Sequence, residues 1–134
     1  MARLDEIVAH LDALLLTADT PDYPPALNGL QLANTGEVRG VAAAVDFSMA
    51  GIEGAIAAGA NLLLLHHGMF WGGAQPIRGV AYERMKRLLA HDVAVYASHL
   101  PLDRHPTFGN NALLARALGL EPSGEFARFK TIAV

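Results

Sequence analysis

The sequence predicts an α/β fold, a mostly parallel sheet of βαβ units flanked by helices. Three observations carry that prediction. Short apolar runs alternate with amphipathic stretches between residues 41 and 98, in the order strand, helix, strand, helix, strand. Consecutive runs are joined by about one helix of chain, which makes the strands parallel and the crossovers right-handed. Histidines and aspartates collect just after the apolar runs, at the carboxyl edge where open α/β sheets form their sites.

Along the chain, Leu4, Ile7, Val8, Leu11, Leu14 and Leu15 recur at helical spacing and predict a helix over residues 3–16. "TADTPDYPPALNG" follows and reads as a loop, with its prolines and turn formers. "LQLANTGEVRG" predicts a short strand with a turn at Asn34, Thr35 and Gly36. The run Val41 to Val45 has small side chains and fits a strand covered on both faces. In "SMAGIEGAIAAGA", Ser48 is the expected N-cap, Met49, Ile52 and Ile56 share one face, and Gly59 is the expected stop.

"NLLLLHH" is the next strand, and "AYERMKRLLAHD" with "VAVYAS" (93–98) repeats the unit. "GNNALLARALGL" is a further helix, capped by Asn110 and Asn111 and stopped at Gly119. "FARFKTIAV" alternates and then runs apolar, as a strand entering a sheet does. It ends at Val134 without a turn or cap, which predicts a longer parent protein. Residues 1–134 themselves read as one α/β metal-binding domain.

Composition removes several classes. Hydrophobic residues make up 52% and charged residues 17%, which suits a compact core. The net charge is −3 and no basic run stands out, so neither nucleic acid nor an anionic membrane is an expected partner. There is no cysteine, which excludes disulfides and thiolate metal sites and fits a reducing compartment. "MARLDEIVAHLDALLL" carries acids and a histidine within its apolar pattern, so it reads as an amphipathic helix and not a secretory signal. No apolar run approaches the ~18 residues of a membrane span. A cytoplasmic protein is the expectation.

Three strand ends carry candidate ligands: Asp46, His66 with His67, and His99 followed by Asp103 and His105. Parallel strands put these ends on one edge, so the residues face a common cleft. Imidazole and carboxylate together suit a divalent ion, with zinc, iron, manganese, nickel and cobalt all admissible. Adjacent side chains on a strand point to opposite faces, so His66 and His67 are expected to hold separate members of a metal pair. Asp103 is the expected bridging carboxylate. His99 and His105 are expected as acid–base or ligand-orienting groups.

Gly68 allows close approach, and Pro101 and Pro106 stiffen the loop around Asp103. Phe70 and Trp71 either wall the cleft or fill the core. Asp46 on its own reads as a cap or turn residue, and His10 and His91 as surface residues.

"NGLQL" (28–32), "LLLLHHGMFW" (62–71), "IRG" (77–79) and "YASHLPLDRHPTFGNNALLARALGL" (96–120) resemble the Nif-three-like dinuclear metal-centre family, also catalogued as GTP cyclohydrolase I type 2 homologues. The resemblance runs from about Tyr23 to Leu120, with both motifs in order and correctly separated. It implies a toroidal homohexamer whose sites, with two divalent metal ions per subunit, open toward an interior cavity. The family's ligand histidines fall on His66 and His67, and its bridging aspartate on Asp103. The family completes its site with an H-x-x-x-E pair in a C-terminal half, and no such pair follows Asp103 here.

The function expected from these readings is metal-dependent hydrolysis of a small or nucleotide-like substrate. The alternative is a non-catalytic metal-binding scaffold or regulatory interaction protein. No Walker-type phosphate loop accompanies the motifs.

Overall fold

The computed structural model describes residues 1–124, 128–130 and 132–133. Strand β1 (Ala2–Arg3) leads directly into helix α1 (Leu4–Leu15) and pairs antiparallel with β3 (Glu37–Val38). The helix ends at Leu16, whose backbone is left-handed with φ 52°. The loop that follows contains two single 3-10 turns, at Thr17–Asp19 and Pro24–Ala26.

The main sheet comprises β2 (Gly29–Leu32), β4 (Val41–Asp46), β5 (Leu62–His67) and β6 (Ala94–Ala97), in the order β2-β6-β5-β4. Strands β4, β5 and β6 are parallel, joined by α2 (Met49–Ala57) and α3 (Val80–Ala90). Strand β2 lies antiparallel to β6 on the far edge, with an irregularity between Leu30 and Leu32. The sheet is therefore mostly parallel and built of two βαβ units. Ser48 caps α2 as expected, its Oγ accepting the Gly51 N–H at 3.1 Å.

Strand alternation sorts the core into two layers. Leu63, Leu65, Val95 and Ala97 pack with Ile52, Ala55 and Leu88 of α2 and α3. Leu62, Leu64, Ala94 and Tyr96 pack on the other face with Leu4, Ile7, Val8, Leu11 and Leu15 of α1. The amphipathic stripes exist because each helix covers one face. Leu88 is fully buried in the first layer. Leu88→Ala is expected to lower stability by about 2–5 kcal/mol, read as a drop in the urea midpoint at unchanged slope.

Several expectations are corrected by the fold. Strand β4 is an edge strand and is not covered on both faces: Val41 and Val45 are 55% and 61% exposed. Small apolar side chains permit double burial, but α2 covers only the face of Ala42 and Ala44, and the face of Val41, Ala43 and Val45 stays open. Gly109, and not an asparagine side chain, is the N-cap of α5 (Asn110–Ala117). Asn110 turns its amide toward α4 (Leu100–Asp103) instead, donating to Asp103.

The C-terminal strands β7 (Arg128–Phe129) and β8 (Ile132–Ala133) form a separate antiparallel hairpin and do not enter the main sheet. Phe126, Ala127, Thr131 and Val134 of the expected strand lie outside the described residues. Among the described residues, no helix is long and apolar enough to cross a membrane.

Candidate metal centre

The parallel register sets the site. Asp46 pairs with His67 at the ends of β4 and β5, and Ser98 and His99 follow β6 on the same edge. One ring nitrogen from each of His66, His67 and His99 lies within 4.8 Å of those of the other two. The ring centroids are 4.6 Å apart for His66–His67, 4.9 Å for His66–His99 and 5.7 Å for His67–His99.

Hydrogen bonds fix which nitrogen is available. His66 Nδ1 is 3.0 Å from the Ser98 carbonyl, which can only accept, so Nδ1 carries the proton. His67 Nδ1 donates to Asp46 Oδ1 at 2.7 Å. His99 Nδ1 donates to Asp22, 2.9 Å from Oδ1 and 3.2 Å from Oδ2. In the neutral form of each ring, Nε2 is then the nitrogen that carries the lone pair.

His66 and His67 do not part to opposite faces as alternation predicts. At the last residues of β5 each ring reaches sideways along the sheet edge, His66 toward β6 and His67 toward β4. One ring nitrogen of each still lies within 4.8 Å of the other's. Asp46 is neither cap nor turn residue: it orients His67.

Asp103 stands beside the cluster, its Oδ2 3.6 Å from His66 Nε2. Its Oδ1 accepts the Asn110 amide at 2.7 Å. His105 is not brought into the cluster. Its Nδ1 accepts the N–H groups of Thr107 and Phe108 at 3.1 and 3.0 Å, and its ring stacks on Phe108. Trp71 walls the cleft, stacked on His67 at 4.4 Å and tilted against His99 at 4.4 Å.

Two positioning groups have no signature in the sequence pattern. The Asp22 side chain is almost fully buried and also accepts the Asn28 amide at 2.8 Å and the N–H groups of Leu100 and Tyr23 at 2.9 and 2.7 Å. Burial opposes its charge, but the hydrogen bonds from Asn28, His99, Leu100 and Tyr23 prevail and hold the carboxyl below its ordinary range. Gln31 accepts the Met69 N–H at 2.6 Å and donates to the carbonyls of Ala26 and Leu27. It thus pins the chain just after the histidines. Gly68 is required there, because a Cβ would lie 2.6 Å from Ala97 Cβ and collide with the Gln31 amide. Only membership of "NGLQL", a stretch with no periodic reason for its polar residues, hinted at Asn28 and Gln31.

An apolar cavity of about 480 Å³ adjoins the cluster, between α1, the sheet and α4. Leu11, Leu15, Leu64, Leu102 and Phe108 line it, with His66 at one side.

The model of the Duf34/NIF3 family (NGG1p interacting factor 3) matches residues 2–131. A Deinococcus radiodurans protein named GTP cyclohydrolase 1 type 2 homolog is 45% identical over 129 residues, covering 94% of this chain and 48% of that protein. A Treponema pallidum protein of the same name is 52% identical over 110 residues, covering 81% of this chain and 38% of that one. The crystal structure of a Thermus thermophilus protein superposes with a TM-score of 0.87 at 42% identity, covering 93% of this chain and 51% of that one. The chain spans about half the length of the curated relatives it matches.

Proposed function

The chain belongs to the Duf34/NIF3 family, and from that premise we propose that it carries the imidazole side of a divalent-metal centre that hydrolyses a small, nucleotide-like substrate. The observation that supports this most is the meeting of three imidazoles whose Nδ1 atoms are already committed, leaving three lone pairs for one ion. Three imidazole nitrogens with a neighbouring carboxylate fit zinc, iron, manganese, nickel or cobalt.

His66, His67 and His99 would hold the ion, with Asp103 bridging to a second one. These four residues are too few for two complete coordination shells, so a second ion would need further ligands from another chain or from solvent. When bound, such ions supply Lewis acidity and a water acidified toward neutral pH.

The chain's own residues do the rest. Asn110 steadies Asp103, Trp71 narrows access of water to the rings, and the cavity beside His66 receives the less polar part of the substrate. The name of the relatives points to ring-opening hydrolysis of GTP as the form of the reaction. The proposal extends to a toroidal homohexamer in the cytoplasm. Exposed apolar side chains on β4 and α5, with Leu118 just beyond it, are available for its contacts, among them Val45 and Leu114.

One observation favours a second reading, a metal-binding scaffold without turnover. His105, the expected acid–base group outside the ligands, has its Nδ1 occupied by two backbone N–H groups. The test is elemental analysis of protein purified without chelator, followed by assay on a panel of nucleotides. One to two ions per chain with turnover is the expected result. Ions without turnover favour the scaffold, and no ions overturn both readings.

A further inference from the structure

The two carboxylates that face an Nδ1 in the centre, Asp46 behind His67 and Asp22 behind His99, are held very differently. Asp46 is 72% exposed and its carboxylate meets His67 alone. Asp22 is 6% exposed and is held by four separate groups drawn from the loop after α1 and from the start of α4. Asn28 completes this frame by accepting the His99 N–H at 2.7 Å, which fixes the backbone as well as the ring.

We infer that Asp22 is a positioning residue for this centre: it holds His99 as the Nδ1–H tautomer in one orientation, with Nε2 bare toward His66 and His67. The inference rests on the metal-centre reading for its consequence, but its geometry stands on the chain's own hydrogen bonds. An acceptor-only carboxylate against Nδ1 leaves the ring one neutral tautomer. The hydrogen bonds from Asn28, Leu100 and Tyr23 prevent the carboxylate from turning away, since the backbone donors cannot follow it without breaking the start of α4 at Leu100 or the turn at Tyr23. His99 is thereby the fixed arm of the cluster. His67 has a single, exposed carboxylate behind it, while Trp71 packs against both rings at 4.4 Å. A carboxylate behind a ligating histidine sets both ring orientation and basicity, and removing one weakens metal affinity by about ten- to a hundredfold.

Two measurements test this. The first is ¹⁵N imidazole NMR of the metal-free wild-type chain, near pH 8. A protonated Nδ1 and bare Nε2 on His99, the reverse of the preference of free histidine, is expected. An Nε2–H tautomer overturns the inference without any variant, so the test survives a variant that does not fold.

The second is titration with Co²⁺, followed by its visible absorption, for wild type, Asp22→Asn and Asp46→Asn. Affinity about ten- to a hundredfold weaker in D22N and less affected in D46N is expected, with the His99 tautomer disturbed only in D22N. Unchanged affinity and tautomer in D22N overturn the role of Asp22 while the metal centre stands. A wild type that binds no Co²⁺ but shows the tautomer, lost in D22N, upholds the positioning of His99 and overturns the metal reading.

Discussion

Replacing His66 by alanine is expected to abolish metal binding while leaving the chain folded. His66 holds the middle of the cluster: its ring is nearer to both other imidazoles than His67 is to His99, and its Nε2 is the nitrogen beside Asp103. Without it an ion meets two imidazoles and a carboxylate that has lost its neighbour. The loss therefore exceeds the ~100-fold that removal of an orienting partner causes.

The fold bears the change. The Ser98 carbonyl loses its donor at about 1–3 kcal/mol, against a total stability of about 5–15 kcal/mol for a domain of this kind. Elemental analysis and a circular-dichroism melt of His66→Ala, beside His10→Ala on the exposed side of α1, check both halves. Metal retained at wild-type affinity sinks the assignment of His66.

Gly109→Ala is expected to be among the most destabilising single methyls that could be added to this chain. A Cβ there would lie 2.7 Å from the carbonyl of Asp103 and 2.8 Å from that of Leu102, and would press on that of His105. These are backbone atoms at the end of α4 and in the turn beyond it, and no rotamer change moves them aside. The residue has φ −65°, so the penalty comes from space and not from a left-handed backbone. Overpacking costs about 1–3 kcal/mol where side chains can yield, and rigid carbonyls place this site at or above the top of that range. Relief requires α5 to shift away from α4, which takes Asn110 from Asp103. Urea denaturation reads the first effect and Co²⁺ affinity the second. Wild-type values of both contradict the packing described for this corner.

How much of this was legible in the sequence depended on whether a residue's environment repeats. Helices α1, α2 and α3 and the parallel strands announce themselves because burial recurs every 3.6 or every two residues. The edge position of β4 does not, because a run such as Val41–Ala42–Ala43–Ala44–Val45 reads alike whether one face or two are covered. The site divides in the same way. His66, His67 and His99 stand at or just past strand ends, with Asp103 in the short helix that follows, where topology makes polar residues conspicuous. Asp22 lies in a proline-rich loop, and its burial depends on contacts with residues more than seventy positions later. No local pattern encodes that separation. The convergence of His66 and His67 was hidden for a different reason: alternation describes a strand's interior, and these residues are its end.

The contact of Trp71 with His67 and His99 has an optical consequence. It is the sole tryptophan of the chain, so all indole emission originates against two imidazoles of the cluster. Protonated imidazole and open-shell ions both quench indole fluorescence. The protein's own light therefore reports the state of the histidines without any added label.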